Sequence, residues 1–333
     1  MAVQIPSTSD CDKRVRQVRE SICSCEEPRW EPLFPVPDFD SGKYQWSLRS
    51  CVKCGITQTY PIPSAKDISQ VYGENYYTST AAKFNHAIEA WSRWAGNSRA
   101  RKLLARSKAK ESVLNVLDFG CGRGVLLEGF RAEGHRVFGI ERSDSGFDCL
   151  PDVSSKSLQE LIVSGSQFDI IVLWHVLEHL DEPETTITEI HRLLKDDGKL
   201  YIEVPNFGSI QERLFKSHWF HLDIPRHLTH FTSTSLEQLM ARNGLKLTQL
   251  KTFSFDQNLY GFLQSALNTL PFLPENHLYG ILKSGLTVKN LLALVLYSPL
   301  LIILLIPALI ELLLSHFLTK GAVLSLELVK KHD

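Results

Sequence analysis

The sequence predicts an α/β protein built on a doubly wound, largely parallel sheet, and three observations carry that prediction. Apolar, β-branched runs alternate with amphipathic helical stretches between residues 113 and 255, which is the rhythm of strand–helix–strand units. The first run, Val113 to Leu117, stops on Asp118 and enters a turn with glycines at 120, 122 and 124. A later run, Phe168 to Trp174, is almost continuously apolar, as central parallel strands covered on both faces are. The length of 333 residues exceeds a usual single domain, so a main domain with appendages is expected.

Charge narrows the partners. The 36 Lys and Arg nearly balance 37 Asp and Glu, leaving a formal charge of −1. A nucleic-acid partner normally leaves a basic footprint, and none is present. Met1 to Glu20 is polar, with several Arg and Asp, and reads as a disordered tail (residues 1–20), not a signal peptide. The seven cysteines are therefore expected as reduced thiols or metal ligands in a cytosolic setting.

In chain order, residues 21–62 read as a small Cys-pair module. Cys51-Val-Lys-Cys54-Gly55 has the spacing of a zinc knuckle, with glycine where the chain turns under the metal. Cys23-Ser-Cys25, one residue tighter, would complete a structural zinc site of four thiolates, with Cys11 as a substitute ligand. Unliganded thiols on an accessory fold are the plainer alternative. Residues 63–110 read as a helical connector. It holds Tyr72, Tyr76 and Tyr77, then a helix over about Ala81 to Lys108, with Ile88, Trp91, Trp94 and Leu103 spaced to pack on a sheet.

The core is placed at residues 111–256. After the glycine turn, Val125, Leu126, Leu127 and Phe130 give a helix its apolar face. Strand, glycine turn and helix together let the backbone approach a ligand and aim helix N–H groups at it. Arg136 to Glu141 is a second strand ending on an acid, about 20 residues past the first glycine, where a carboxylate suits ribose hydroxyls. The glycines run G-x-G-x-G with Asp118 before them, unlike the G-x-G-x-x-G of a dinucleotide site. Ser157 and Glu160 form a capping box. Phe168–Trp174 leads into His175-Val-Leu-Glu178-His179, and Pro183 opens a helix with Ile187, Ile190, Leu193 and Leu194 inward, ended by Gly198. A strand over Lys199–Val204, a helix capped at Ser235 and closed at Gly244, and a strand over Lys246–Phe255 follow.

Taken together, Asp118-Phe-Gly-Cys-Gly-Arg-Gly124, Glu141 and Trp174-His-Val-Leu-Glu-His179 resemble class I S-adenosylmethionine-dependent methyltransferases. They are most similar to the small-molecule branch that includes the ubiquinone and menaquinone C- and O-methyltransferases. The resemblance covers about Cys51 to Gly244. The Cys-pair module and Pro225-Arg-His-Leu-Thr-His-Phe231 resemble a subgroup linked to modification of glycans, lipids or secondary metabolites. What the resemblance implies is a Rossmann-like sheet with an antiparallel last strand and S-adenosyl-L-methionine as cofactor. It also implies a small-molecule, lipid or glycan acceptor. Gly120, Gly122 and Gly124, with Cys121, would wrap the methionine part, with Asp118 beneath its amino group. Glu141, followed by Arg142, would hold the ribose, and Trp174 would lie beside the cofactor facing the acceptor. The family's adenine-side acid has no clear match, since Asp152-Val-Ser-Ser is shortened.

Methyl transfer from a sulfonium is an in-line displacement, so the protein aligns the reactants and takes a proton from the acceptor. His175 and His227 are the leading candidate bases, with Glu178, His179 and His230 as alternatives. His175 and His227 lead because both are placed in loops at the carboxyl ends of strands, where ligands bind in such sheets. Two rival readings stand beside this one. A nicotinamide-dependent oxidoreductase would use a similar sheet, but the glycine spacing disfavours it. His175-x-x-Glu178-His179 matches the H-x-x-E-H zinc-peptidase pattern, which needs both histidines on one helix face.

Residues 257–320 read as a hydrophobic helical insertion before the last strand, placed at 321–333. Leu291 to Ile310 carries no charge and meets the length criterion for a membrane span. Pro299 and Pro307 interrupt the apolar stretch, and Glu311 follows. The strands on either side must pair at the sheet edge and so lie on one side of any membrane. Two crossings need about forty apolar residues, and roughly twenty-eight are present. A shallow or re-entrant hairpin broken near Pro299 or Pro307 is therefore expected, held on the cytoplasmic face with Lys283, Lys289 and Lys320 at its ends.

Overall fold

The computed structural model describes residues 22–71, 86–107, 112–141, 152–154, 156–284 and 287–331. The expectations for residues 1–20, Cys11, Tyr72, Tyr76, Tyr77 and Arg142 lie outside the described residues.

Two sheets organise the chain. Strands β1 (Trp30–Pro37), β2 (Tyr44–Cys51) and β3 (Thr57–Tyr60) form an antiparallel meander. The main sheet contains β4 (Asn115–Phe119), β5 (Arg136–Ile140), β6 (Val153–Ser154), β7 (Phe168–Trp174), β8 (Leu194–Pro205), β10 (Leu245–Lys251) and β11 (Val323–Lys330). Its order is β10-β11-β8-β7-β4-β5-β6. Pairs β4–β5, β4–β7, β5–β6 and β7–β8 are parallel, while β11 runs antiparallel to both β8 and β10. This is the expected doubly wound sheet with an antiparallel last strand. The order reverses between β4 and β7, and in open sheets of this kind ligands bind at the carboxyl ends of the strands at such a point.

Helices α1 (Ala65–Val71), α2 (His86–Leu104), α3 (Val125–Ala132), α4 (Leu158–Val163), α5 (Pro183–Leu193), α6 (Ile210–Phe215) and α7 (Ser233–Arg242) precede the last strands. Strand β7 shows how the layers form. Its Ile171 and Leu173 join Leu158, Ile187, Ile190, Leu236 and Leu239 on one face. Its Ile170 and Val172 join Ala100, Leu103, Leu127 and Phe130 on the other. The period of two thus sends successive side chains to opposite helical layers. Helices α2 and α3 pack closely because a Cβ at Gly129 would come within 2.9 Å of the Ala100 Cβ.

Several boundaries differ from the sequence reading, each for a local reason. Thr232, not Ser235, caps α7, with the Ser235 hydroxyl bonding back to the Thr232 N–H at 3.0 Å. Strand β8 starts at Leu194, directly after α5, so Gly198 lies within a strand. Strand β10 ends at Lys251, and Phe255 opens the helix α8 (Phe255–Asn268). Leu103 is buried as expected, with Ala100 beside it, whereas Trp94 is 65% exposed; the side chains of Ile88 and Trp91 lie outside those described.

The largest correction concerns the apolar segment. After α9 (His277–Ser284) it forms one continuous helix, α10 (Val288–Leu318), running through both Pro299 and Pro307. A proline removes the N–H that would bond the carbonyl four residues back. At Pro299 that carbonyl belongs to Val295, and the Ser298 hydroxyl donates to it at 2.7 Å. At this proline a side chain therefore replaces the lost backbone donor.

Candidate functional site

The glycine turn is held by the end of β5: the N–H groups of Gly120 and Cys121 both donate to the Ile140 carbonyl, at 2.8 and 3.1 Å. Gly120, Gly122 and Gly124 all have positive φ, at 77°, 51° and 71°, a region that non-glycine residues enter only with strain. Gly120 must also be small, because a Cβ there would lie 2.4 Å from Val176 Cγ2. Among the described residues nothing lies within 4 Å of a Cβ built on Gly122. The turn is thus crowded at Gly120 and, among the described residues, uncrowded at Gly122.

Two acids flank it. Asp118 is buried at the end of β4, and burial, with the nearby charge of Glu141, pushes its pKa up to about 7 against the pull of Arg99. Glu141 follows β5, and its Oε2 accepts the Gly122 N–H at 2.6 Å. The carboxylate expected to face a ribose thus braces the turn in this state. Cys121 lies in the turn with its thiol held protonated, chiefly by burial and then by Asp118 and Glu141.

The wall opposite comes from β7. Trp174 carries the Arg99 guanidinium 3.6 Å from its ring centroid, a cation–π contact. Burial draws the Arg99 pKa down, while Glu203, Asp256 and Asp118 oppose the shift. Arg99 was invisible to sequence reasoning, being one of several basic residues on α2 and reaching the site only through packing of α2 on α3.

His175 has φ 53°, a strained value for a non-glycine residue. Its Nδ1 lies 3.2 Å from Glu178 Oε1 and its Nε2 3.5 Å from Glu203 Oε1. Burial alone would lower its pKa, but these two carboxylates outweigh it and lift the value to about 10. In this geometry His175 is an imidazolium clamped between two acids, and it holds a proton instead of offering a lone pair.

His227 is the opposite case. Its Nδ1 donates to the His221 carbonyl at 3.0 Å, and its Nε2 lies 3.9 Å from Glu178 and 3.8 Å from Asp223. Burial, then the neighbouring His179, His230 and His175, push its pKa well below the usual range. It is a neutral imidazole with Nε2 as the lone-pair end. His179 packs its ring on His227 at 4.6 Å and contacts the Arg226 carbonyl through Nδ1 at 3.0 Å. His230 lies in β9 (Thr229–His230), which pairs with β3 and joins the module sheet to this loop. Its Nε2 meets Thr59 Oγ1 at 3.1 Å, and burial lowers its pKa to about 3. Thr59 also donates to the His227 carbonyl at 2.7 Å, so the Cys-pair module props the histidine loop. No local pattern marked Thr59. His218 is not part of the group; it pairs with Glu275 at 2.9 Å.

The peptidase reading fails on geometry. Only a short 3-10 turn, Leu177–His179, follows His175, and the His175 Nδ1 is engaged by Glu178 itself. Among the described residues Glu178, His179 and His227 bring one ligand atom each within 4.8 Å of one another, a group that leaves His175 out. The same test gathers Cys23, Cys25, Cys51 and Cys54. The Cys54 thiol is pushed up by its bond to Cys23 and then by burial. The Gly55 N–H closes the knuckle onto the Cys51 carbonyl at 2.8 Å. Four convergent sulfurs suit a tetrahedral, closed metal site.

Comparison with known proteins adds family. Residues 91–250 match the family model described as "Methyltransferase domain". A ubiquinone biosynthesis O-methyltransferase of Coxiella burnetii is 28% identical over 150 residues, covering 40% of this chain and 64% of that protein. One from Glaesserella parasuis is 32% identical over 106 residues, covering 27% of this chain and 45% of its own. The chain thus spans 64% of the length of the first of these curated relatives. Among solved structures, a SAM dependent methyltransferase from Archaeoglobus fulgidus aligns with TM-score 0.45 and 19% identity, covering 72% of this chain and 94% of that one. The 1,6-didemethyltoxoflavin-N1-methyltransferase of Burkholderia thailandensis aligns with TM-score 0.42 and 15% identity, covering 91% and 100%.

Proposed function

We propose, for a chain whose residues 91–250 are a class I methyltransferase domain, that it methylates an oxygen or carbon of a small, amphiphilic acceptor at a membrane surface, using S-adenosyl-L-methionine. The observation that carries the reading is the open, positive-φ cradle at Gly122, set between the carboxylates of Asp118 and Glu141. When bound, the cofactor supplies an already activated methyl group, so the chain's own residues need only bind, orient and move a proton.

Asp118, ionised, is the counter-charge for the cofactor's ammonium, and Arg99 for its carboxylate. Gly120, Cys121, Gly122 and Gly124 let the backbone approach. Glu141, at the end of β5, would hold the ribose hydroxyls. Trp174, stiffened by Arg99, forms the wall on the acceptor side. His227 is the base: its tautomer is set by the His221 carbonyl, which leaves Nε2 to accept the acceptor's proton. His175 keeps its proton and places positive charge where negative charge develops on the acceptor. Cys23, Cys25, Cys51 and Cys54 would hold a structural zinc, and Thr59 of the adjoining β3 donates to the His227 carbonyl of the histidine loop.

The membrane part rests on α10, whose large apolar side chains face outward along most of its length. It favours an acceptor that is itself membrane-bound: a lipid, a quinone precursor or a lipid-linked glycan, met on the cytoplasmic side. Thermal melting with S-adenosylhomocysteine against NAD tests the cofactor. A ligand present at about 100 times its Kd stabilises by about 2.7 kcal/mol, so only S-adenosylhomocysteine is expected to raise the Tm. Stabilisation by NAD alone would overturn the assignment. Labelled methyl transfer into a membrane-lipid and glycan extract tests the acceptor class, and zinc analysis of the purified chain is expected to return one ion per molecule.

A further inference from the structure

We propose that α10 lies lengthwise in one leaflet of a lipid bilayer, so that the protein is monotopic and its site opens beside the membrane surface at the first turn of α8. This deepens the membrane part of the reading above and is independent of the methyl-transfer chemistry.

Four observations carry it. First, fifteen of the large exposed apolar side chains lie on α10, far more than a soluble surface leaves in one patch. Glu311 is the one Asp, Glu, Lys or Arg between Leu291 and Leu318; it is 3% exposed and accepts from the Gln211 side chain at 3.1 Å. Secondly, the exposed residues cover more than half the helix circumference. Leu296, Ile303, Ile310 and Phe317 repeat every seven positions on one side, while Ile302, Leu305 and Leu309 lie well round from them. A second copy of the chain would cover a stripe of about 100°; a fluid phase covers the whole arc.

Thirdly, the remaining stripe is fastened to the body from end to end. Asn290 Nδ2 reaches the Ile281 carbonyl at 3.4 Å, and the Tyr297 hydroxyl bonds His277. Leu304 and Ala308 pack on Phe262 and Ala266 of α8, and Ser315 is buried. A crossing helix would carry those elements into hydrocarbon, with the Gln264–Asn268–Asn276 network and the His218–Glu275 pair. Each polar group without a partner there costs several kcal/mol. The helix is also about 46 Å long at about 1.5 Å per residue, against a hydrocarbon core of about 30 Å. Lying flat satisfies every contact.

Fourthly, the anchored end is next to the chemistry. Phe253 packs on His316 of α10 at 5.1 Å. Two residues on, Phe255 is exposed and opens α8. In that first turn the Gln257 carbonyl contacts His221 Nε2 at 3.2 Å, and the His221 carbonyl in turn holds His227. The contacts thus run from α10 by way of Phe253, and from the first turn of α8 by way of His221, to the histidine loop.

The test is depth measurement on the full chain bound to phosphatidylcholine vesicles. A nitroxide is attached through p-acetylphenylalanine introduced singly at Leu296, Ile303, Ile310 and Phe317, which spares the native cysteines. Oxygen-against-nickel accessibility is expected to place all four at the same depth within about 5 Å, whereas a crossing helix spreads them over about 30 Å. A graded series overturns the proposal. So does full water exposure of all four, or spin–spin broadening without lipid, which would mean that a second copy covers the face. For the unsubstituted chain bound to the outside of sealed vesicles, trypsin added outside is expected to digest the chain on both sides of α10; protection of one side also overturns it. An S-adenosylhomocysteine melting shift in the same samples reports folding and keeps the methyltransferase reading separable.

Discussion

The two halves of the candidate site are built in opposite ways. The glycine half spans Asp118 to Glu141, a strand, a turn, a helix and the end of the next strand. Its contacts are local: Gly120 to Ile140, Gly122 to Glu141. The histidine half draws His175 and Glu178 from after β7, Glu203 from β8, His227 and His230 from a distant loop, and Thr59 from the N-terminal module. The first is a single supersecondary unit whose shape is dictated by glycine conformations. The second exists only when four separated segments are packed. The contrast extends to charge, since the first half presents acids to a cationic ligand and the second sorts five imidazoles by the company each keeps.

The largest expected effect falls on the second half. His175→Gln leaves Glu178 and Glu203 buried without their cation, and is expected to lower stability by about 4 kcal/mol near neutral pH. The pKa of His175 is raised from 6.5 to about 10 by folding. Its contribution is therefore fully present below about pH 6.5 and fades as pH rises toward 10. Urea unfolding across that window is expected to show parent and variant converging; parallel curves would contradict the clamp.

Next comes the ligand-binding half. Asp118→Ala is expected to weaken S-adenosylhomocysteine about 100-fold by calorimetry, the effect of truncating one partner of a buried charge pair, with little change in the Tm of the free protein. Gly120→Ala is expected to destabilise by about 2 kcal/mol through the Val176 clash and the positive φ, while Val176→Ala in the same chain recovers part of the loss. No recovery would show that φ alone governs the turn.

The smallest effect is a pH dependence. With its pKa near 7, Asp118 must lose a proton to meet an ammonium at pH 6. Binding is then about tenfold weaker at pH 6 than at pH 8. Asp118→Asn is expected to bind weakly and with this dependence removed. A parent profile flat across that range would mean that another group meets the ammonium.

Much of this was legible before any coordinates. The alternation of elements, the capping box at Ser157 and the strand Phe168–Trp174 were readable from periodicity and turn chemistry. The glycine turn was readable because three positive-φ positions in five residues admit little else. Boundaries moved where two local signals competed, as at Thr232 against Ser235. Arg99, Glu203 and Thr59 were missed because each sits in an ordinary helix or strand and gains meaning only from neighbours on other elements. The hairpin expected in the apolar segment is replaced by one helix that runs through both prolines; at Pro299 the Ser298 hydroxyl supplies the bond that the proline removes.

By itself, the sequence determined the sheet, the glycine turn with an acid on either side of it, two cysteine pairs and an apolar segment too long for a soluble surface. Those follow from local conformation and from the spacing of apolar and polar residues. Only the tertiary structure decided that His175 is charged and His227 neutral, and that α10 is one helix fastened along its length. Protonation and helix orientation depend on which distant groups share a low-dielectric interior, and residue order alone does not specify that.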